Sequence, residues 1–319
     1  MKQNYAFFLV IAEEMNITRA ASKLYISQQC LSTHLKKLEN ELGVQLLIRK
    51  PTQRLTPAGE AFAEYLRKAQ RMENSIREEL LEINNNVNGQ LSIGIHASRA
   101  RVLVPMLYEN DSRIRKISNL NIVDGMTDDF DKMLRSGRID AYLGMNPPVD
   151  TAVNVELLMR EGISIGVSEH TLKTILPERA EYLLSHAKEG VEITDLMALP
   201  MIVNQSSSKL ALSVDLGLER LGVNQRNMVR VNGNDMHIEM CMIGDCACYV
   251  PDMFVPYVKR INQLQPDESR KLRLIRLKDF IEPNRFCFVT NSNQFMFSAL
   301  REFQSIIRDT FKNMFGGVS

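Results

Sequence analysis

Leucines recur at intervals of four, three and four along residues 31–42 (Leu31, Leu35, Leu38, Leu42), which places them on one stripe of an α-helix. Ser27 stands before this stripe as an N-cap, and Gly43 follows it where a left-handed residue ends a helix. Upstream, a shorter helical pattern buries Ala21 and Leu24, with Thr18 placed as its cap and the small pair Ala20-Ala21 admitting a close neighbour. The other face of the leucine helix is polar: Gln28, Gln29, Ser32, Thr33, Lys36 and Lys37, with His34 beside it. Residues 44–48 and 54–56 then read as two small strands around Arg49-Lys50-Pro51-Thr52-Gln53.

From Pro57, a residue suited to the first helical position, the period is helical for about thirty residues. Ala58, Phe62, Tyr65, Ala69, Met72, Ile76, Leu80, Ile83 and Val87 form a narrow apolar seam with charges on the remaining faces. A seam so long and thin predicts pairing with another helix, most simply that of a second copy, along a rod of roughly 45 Å. Residues 84–89 (NNNVNG) break it and mark a domain boundary.

Beyond Gly89, short apolar runs alternate with helical patterns. Strands are expected at 91–95, 121–123, 139–144, 161–167, 200–203, 228–231 and 248–251. Helices are expected at 99–108 and 128–136. Lys271–Leu277 and Phe286–Thr290, with a helix over 295–311, are expected to return to the first subdomain. Such alternation implies βαβ units and ligand sites at strand C-terminal ends. The segment 170–195 has room for an extra helix from Pro177 to Lys188 and has no functional reading.

Charge sharpens the picture of the N-terminal part. Residues 16–57 carry seven Lys/Arg against two acids, a local net of +5, whereas the whole chain of 319 residues is only +1. Clustered positive charge behind a polar helix face is the footprint of nucleic-acid binding. Glutamine can pair with adenine in a major groove, and Ser or Thr discriminate less.

On Arg19-Ala20-Ala21-x-x-Leu24, Ile26-Ser27-Gln28-x-x-Leu31-Ser32, Leu38-Glu39-x-x-Leu42-Gly43-Val44, and Arg49 followed by Leu55-Thr56-x-x-Gly59, the chain closely resembles the LysR-type transcriptional regulators. It departs from the usual pattern at Asn16-Ile17 (Ser-Phe), Thr33 (Arg) and Leu47 (Phe). The resemblance implies a winged helix-turn-helix (1–57), a linker and dimerisation helix (58–88) and a two-lobed α/β effector domain (89–319) similar to periplasmic binding proteins. Its lobes would span about 89–163 with 268–319, and about 164–267. DNA contacts would come from Thr18, Arg19, Ser27, Gln28, Gln29, Ser32, Thr33, His34, Lys36, Lys37, Arg49, Lys50 and Arg54. A cleft between the lobes would hold a small-molecule effector against Ser98, Arg99, Thr127, Asn146, Asn204, Gln205, Ser206 and Asn234. Ser98, Thr127 and Ser206 would also cap the helices there, and Arg99 and Arg101 hint at an anionic ligand. Partners would be an operator duplex, the effector and a second copy, with tetramers as in the family.

Other chemistries find little support. The enzyme signatures H-E-x-x-H, G-x-x-x-x-G-K-[ST] and G-x-G-x-x-G are missing, and no catalysis and no cofactor are expected. A constitutive architectural DNA-binding protein would use the same N-terminal part but need no ordered cleft. Five cysteines (Cys30, Cys241, Cys246, Cys248, Cys287) form no disulfide framework, and Cys241-x4-Cys246-x-Cys248 lacks compact zinc spacing. Cys30 is expected to be half buried and the others to serve as apolar packers. No run of eighteen apolar residues and no signal-peptide core occur, and a cytoplasmic location is expected.

Overall fold

The computed structural model describes residues 2–48, 53–85, 90–117, 119–205, 208–225, 227–292, 294 and 296–316. Arg49, Lys50 and Ser206, all expected site residues, lie outside them, as does most of the expected boundary at 84–89.

Three helices open the chain: α1 (Gln3–Glu14), α2 (Ile17–Lys23) and α3 (Gln28–Leu42). Ser27 caps α3 as expected, its hydroxyl accepting from Cys30 N at 3.1 Å, and Gly43 ends it at φ 69°. The cap of α2 is Asn16 rather than Thr18: extended at φ −155°, it brings its side-chain oxygen within 3.0 Å of Arg19 N. Thr18 sits too far into the helix to do so. Leu31, Leu35 and Leu38 are buried against Phe8, Ile11, Ile17 and Ala20, while Leu42, at the end of the stripe, is 37% exposed. Cys30 is exposed, not half buried.

The wing strands are shorter than expected, β1 (Leu47–Ile48) and β2 (Arg54–Leu55), paired antiparallel. Glu39 shortens the first. Its Oε1 accepts from Leu46 N at 2.8 Å and Leu47 N at 3.2 Å, holding that backbone against α3. Helix α4 (Pro57–Asn85) follows, with Thr56 Oγ1 accepting from Gly59 N. A Cβ at Gly59 would lie 2.0 Å from the Leu46 carbonyl oxygen, so only glycine allows wing and helix to approach this closely. Ala63 and Leu66 of α4 are buried in the N-terminal core, whereas Tyr65, Met72, Ile76 and Leu80 of the seam are exposed.

The remainder forms two five-stranded sheets. In chain order the elements are β3 (Gln90–Ile95), α5 (Ala97–Asn110), β4 (Asn119–Val123), α6 (Thr127–Arg135), β5 (Ala141–Met145), β6 (Val153–Glu161) and β7 (Ile163–Ser168). Next come α7 (Glu169–Ile175), α8 (Ala180–Ser185), β8 (Met201–Val203), α9 (Lys209–Leu221), β9 (Asn227–Arg230) and α10 (Asn234–Ile243). The chain closes with β10 (Ala247–Pro251), α11 (Val255–Leu264), β11 (Leu272–Arg276), β12 (Asn284–Asn291) and α12 (Ser298–Phe315).

The first sheet has the order β4-β3-β5-β12-β6, and the second, β9-β8-β10-β7-β11. In each lobe three parallel strands are followed by two more, each antiparallel to its neighbour, with the incoming crossover strand inside and the outgoing one at the edge. Only Gly162 separates β6 from β7, which lie in different sheets. It is fixed by Asp252, whose carboxylate accepts from Gly162 N at 2.8 Å and whose N–H donates to Gly162 O at 3.1 Å.

Three expectations change. Residues 153–161 form a strand the pattern did not announce, because an edge strand with one wet face keeps Asn154, Glu156 and Arg160 among its apolar residues. Residues 272–276 do not return to the first lobe but pair antiparallel with β7 in the second, so the crossing back falls near 277–283 rather than 268. The expected helix from Pro177 to Lys188 is cut to Ala180–Ser185, with turns on either side. Cys241, Cys246, Cys248 and Cys287 are buried, and burial pushes the Cys287 thiol up to about 11, as befits an apolar packer.

Candidate functional site

At the N-terminal surface, α3 is presented by its buried leucines and by its Ser27 cap, so the residues opposite those leucines must face outward. Gln28, Gln29, Thr33, Lys36 and Lys37 are exposed and Ser32 is half-buried. The Thr33 hydroxyl donates to Gln29 O at 2.9 Å, back-bonding to the turn before it. Thr33, Lys36, Lys37, Asn40 and Glu41 line a shallow hollow on the same face. Thr18 Oγ1 lies 3.4 Å from Gln28 Oε1, joining the start of α2 to the start of α3. Arg19 is exposed, its guanidinium donating to Glu14 O at 2.6 Å. Arg54 stands exposed on β2.

His34 differs from its expected role. Its Nδ1 lies 2.7 Å from Asn4 Oδ1 and its ring meets Phe7 edge-on at 5.0 Å, so the imidazole is committed to α1. At 3.6 residues per turn, each step along the helix rotates by about 100°, which carries position 34 round from position 33 toward the buried side. Gln53, which sequence reasoning left out, accepts from Ile17 N at 2.9 Å and ties the wing to α2. Its signal is faint: a glutamine in a basic turn reads as solvent-exposed.

The second site lies where α5, α6, α9 and α10 begin, at the C-terminal ends of the parallel strands of both lobes. Ser98, Arg99, Thr127, Asn204 and Asn234 come together there, with His96, Ser208, Lys209 and Asn232 among the other lining residues. The space between them is small, about 70 Å³. Two expected members stand apart. Asn146 adopts a left-handed conformation (φ 43°) and bonds Asn284 and Arg285 N, fixing β5 beside β12; Gln205 is exposed, its N–H donating to Asn232 Oδ1.

The expected caps also shift. Helix α5 is capped by His96, whose ring accepts from Ser98 N, and α6 follows Met126 without a side-chain cap. Ser98 Oγ instead accepts from Asn234 N at 3.1 Å, bonding one lobe to the other. Arg101–Asp235 (2.9 Å) and Lys209–Asp128 (3.2 Å) likewise bridge the lobes. Burial holds the His96 imidazole below its ordinary range, with Asp124 opposing and Arg99 reinforcing the shift.

Arg99 is not the free cation that an anionic ligand would need. Its guanidinium is buried, donates to both Glu161 oxygens and lies 4.7 Å from the Phe286 ring centre. Met145 and Met253 sulfurs complete its surroundings. The carboxylate partner was not legible in sequence because it lies 62 residues away at the end of the unannounced strand β6. Among the described residues no group of three His, Cys, Asp or Glu is placed to hold a metal ion, and no helix is long and apolar enough to cross a membrane.

Comparison with known proteins agrees with this architecture. Residues 3–60 match the family described as bacterial regulatory helix-turn-helix protein, lysR family, and residues 84–312 match the LysR substrate binding domain. The regulator CysL of Bacillus subtilis (strain 168) is 24% identical over 229 residues, 71% of this chain and 72% of its own length. BenM of Acinetobacter baylyi is 28% identical over 235 residues, 70% of this chain and 73% of its own. CatR of Pseudomonas putida reaches 32% identity over 49% of this chain, which spans about half (53%) of that relative. Among solved structures, a full-length OxyR variant from Pseudomonas aeruginosa has a TM-score of 0.66 at 20% identity, covering 97% of this chain and 93% of that one. Full-length CbnR in complex with its target DNA has a TM-score of 0.61 at 17% identity, covering 97% and 100%. At these identities the structures speak to fold.

Proposed function

Because the chain belongs to the LysR family of bacterial regulators, we propose that α3 is its DNA-reading helix and the four-helix cleft its effector site. It is a DNA-binding transcriptional regulator with an effector-binding domain. The observation that carries the assignment to α3 is one of placement: Gln28, Gln29, Thr33, Lys36 and Lys37 stand on a single exposed face held rigid by the buried Leu31, Leu35 and Leu38. Amides at the first turn can meet base edges, and lysines about two turns on, with Arg54 and the wing's Arg49 and Lys50, can neutralise phosphates. Thr18 and Ser27 support the start of that helix, and the exposed Arg19 of α2 is a further phosphate contact. The exposed seam of α4 pairs with the same seam of a second copy and sets two reading helices side by side.

The domain division follows. The DNA-binding unit is 1–57 together with the first turns of α4, whose Ala63 and Leu66 belong to its core; the remaining linker helix leads to the effector domain from about residue 89. The effector is bound and not transformed, and the protein works in the cytoplasm. A ligand held between the lobes changes the balance of the Ser98–Asn234, Arg101–Asp235 and Lys209–Asp128 contacts by no more than its differential affinity for the two arrangements.

Selection of bound duplexes from a random pool by the purified full chain tests the DNA assignment. Recovery of a dyad-symmetric sequence that a Gln28→Ala, Gln29→Ala double variant fails to enrich is the expected result. Enrichment of the same sequence by that variant would move base reading off this helix.

A further inference from the structure

Given the effector-cleft reading above, on which this step rests, charge inside the cleft decides what it can hold. The arginine and the lysine that line the cleft already have carboxylates, Arg99 with Glu161 and Lys209 with Asp128, and Arg101, one helix turn beyond Ser98, has Asp235. One N–H at each of three helix N-termini is likewise taken. Ala97 N donates to Asp124 Oδ1 at 2.7 Å, Asn234 N to Ser98 Oγ at 3.1 Å and Ala211 N to Ser208 Oγ at 3.5 Å. Helix α6 carries Asp128 and Asp129 in its own first turn.

An anion entering here would lose water without gaining an uncommitted cation, and would approach carboxylates already holding the helix ends. Desolvating an ion without a charged partner is unfavourable, and the hydroxyls and amides here bring no net positive charge to offset it. Beside these ion pairs the space is lined by hydroxyl and carboxamide: Ser98, Thr127, Asn204, Asn232 and Asn234, backed by Phe130 and Phe254, with Asn204 Nδ2 donating to Asn234 Oδ1 at 3.1 Å. These groups both donate and accept without net charge. We infer that the effector is a small uncharged polar molecule with both hydrogen-bond donors and acceptors, as a carboxamide has, and not a carboxylate. Glu161 occupies Arg99 as a built-in carboxylate and so sets this selectivity.

Thermal-shift measurement of the full chain against a panel of small amides, each beside the acid of the same carbon frame (acetamide and acetate, lactamide and lactate, benzamide and benzoate), and of neutral polyols tests this. Uncharged compounds are expected to raise Tm, and each matching acid to bind at least about tenfold more weakly, a difference of roughly 1.4 kcal/mol. Hits confined to acids, or equal for acid and amide, overturn the inference and leave the cleft as an effector site. No hit in any class overturns both. Glu161→Gln, which frees the Arg99 charge, is expected to gain a response to the acids; failure to gain it in a folded variant counts against the assigned role of Glu161. Thr127→Val, similar in shape and without the hydroxyl, is expected to lose the amide response at unchanged unliganded Tm. A retained response places the ligand elsewhere and overturns the inference.

Discussion

Arg99 and Glu161 meet in the interior through two bonds of 3.0 and 2.6 Å, the arginine from the helix that opens the first lobe and the glutamate from the end of the strand that leaves it. Met253 N also approaches Glu161 Oε1 at 3.4 Å, so one carboxylate joins the first lobe, the crossover and the second lobe. A buried pair of this kind is weak evidence of net stability, yet losing one member leaves a bare charge in the interior.

Glu161→Ala is therefore expected to lower unfolding free energy by about 3–5 kcal/mol, read from urea denaturation. Adding Arg99→Met to it should recover much of the loss. A double variant no better than the single one would show that the methionines and Phe286, not the ion pair, hold this junction.

On α3, Gln29→Ala and Lys37→Ala are expected to fail differently. The first should erase discrimination at one operator position, about 1–3 kcal/mol, and the second should weaken all duplexes alike and flatten the salt dependence. Fluorescence anisotropy on operator and scrambled duplexes at several salt concentrations separates them; an equal loss on both duplexes for Gln29→Ala would make it a backbone contact.

Along α4, Ile76 is 47% and Leu80 58% exposed in the single chain, although both belong to the apolar seam. Ile76→Asp is expected to yield monomers at micromolar concentration by analytical ultracentrifugation, since it would bury a carboxylate between helices. Persistence of the dimer would place the main interface on the effector domain.

His237 lies on α10 with Nε2 2.6 Å from Val231 O, and burial holds its imidazole below the ordinary value of 6.5 despite that carbonyl and Asp235. The sign follows from linkage. Above 6.5 neither state is protonated and stability is full; below it the unfolded chain takes up a proton that the fold resists, so stability falls until the lower folded value is passed. The slope approaches about 1.4 kcal/mol per pH unit for one such group. Denaturation at neutral and mildly acidic pH, with His237→Gln as control, checks this: the variant should flatten the difference.

Much of the N-terminal fold could be read from the chain because its determinants are local. Ser27, the leucine stripe, Gly43 and Pro57 act within a few residues of themselves, and a helix period survives translation into structure. The parallel strands were visible for a similar reason: fully buried strands such as Ala141–Met145 are short unbroken apolar runs.

What the chain could not announce are the meetings of distant residues. Residues 272–276 carry a pattern that suits either sheet, and only pairing with β7 chose the second lobe. Arg99 reads in sequence as an available cation, but Glu161 stands beside it; His34 reads as a DNA-facing group, but Asn4 and Phe7 claim its ring. Local spacing fixes which face a residue takes on its own element. Which charge or ring stands opposite that face is settled only when elements far apart in sequence pack together, and that contact decides whether a side chain is free to act.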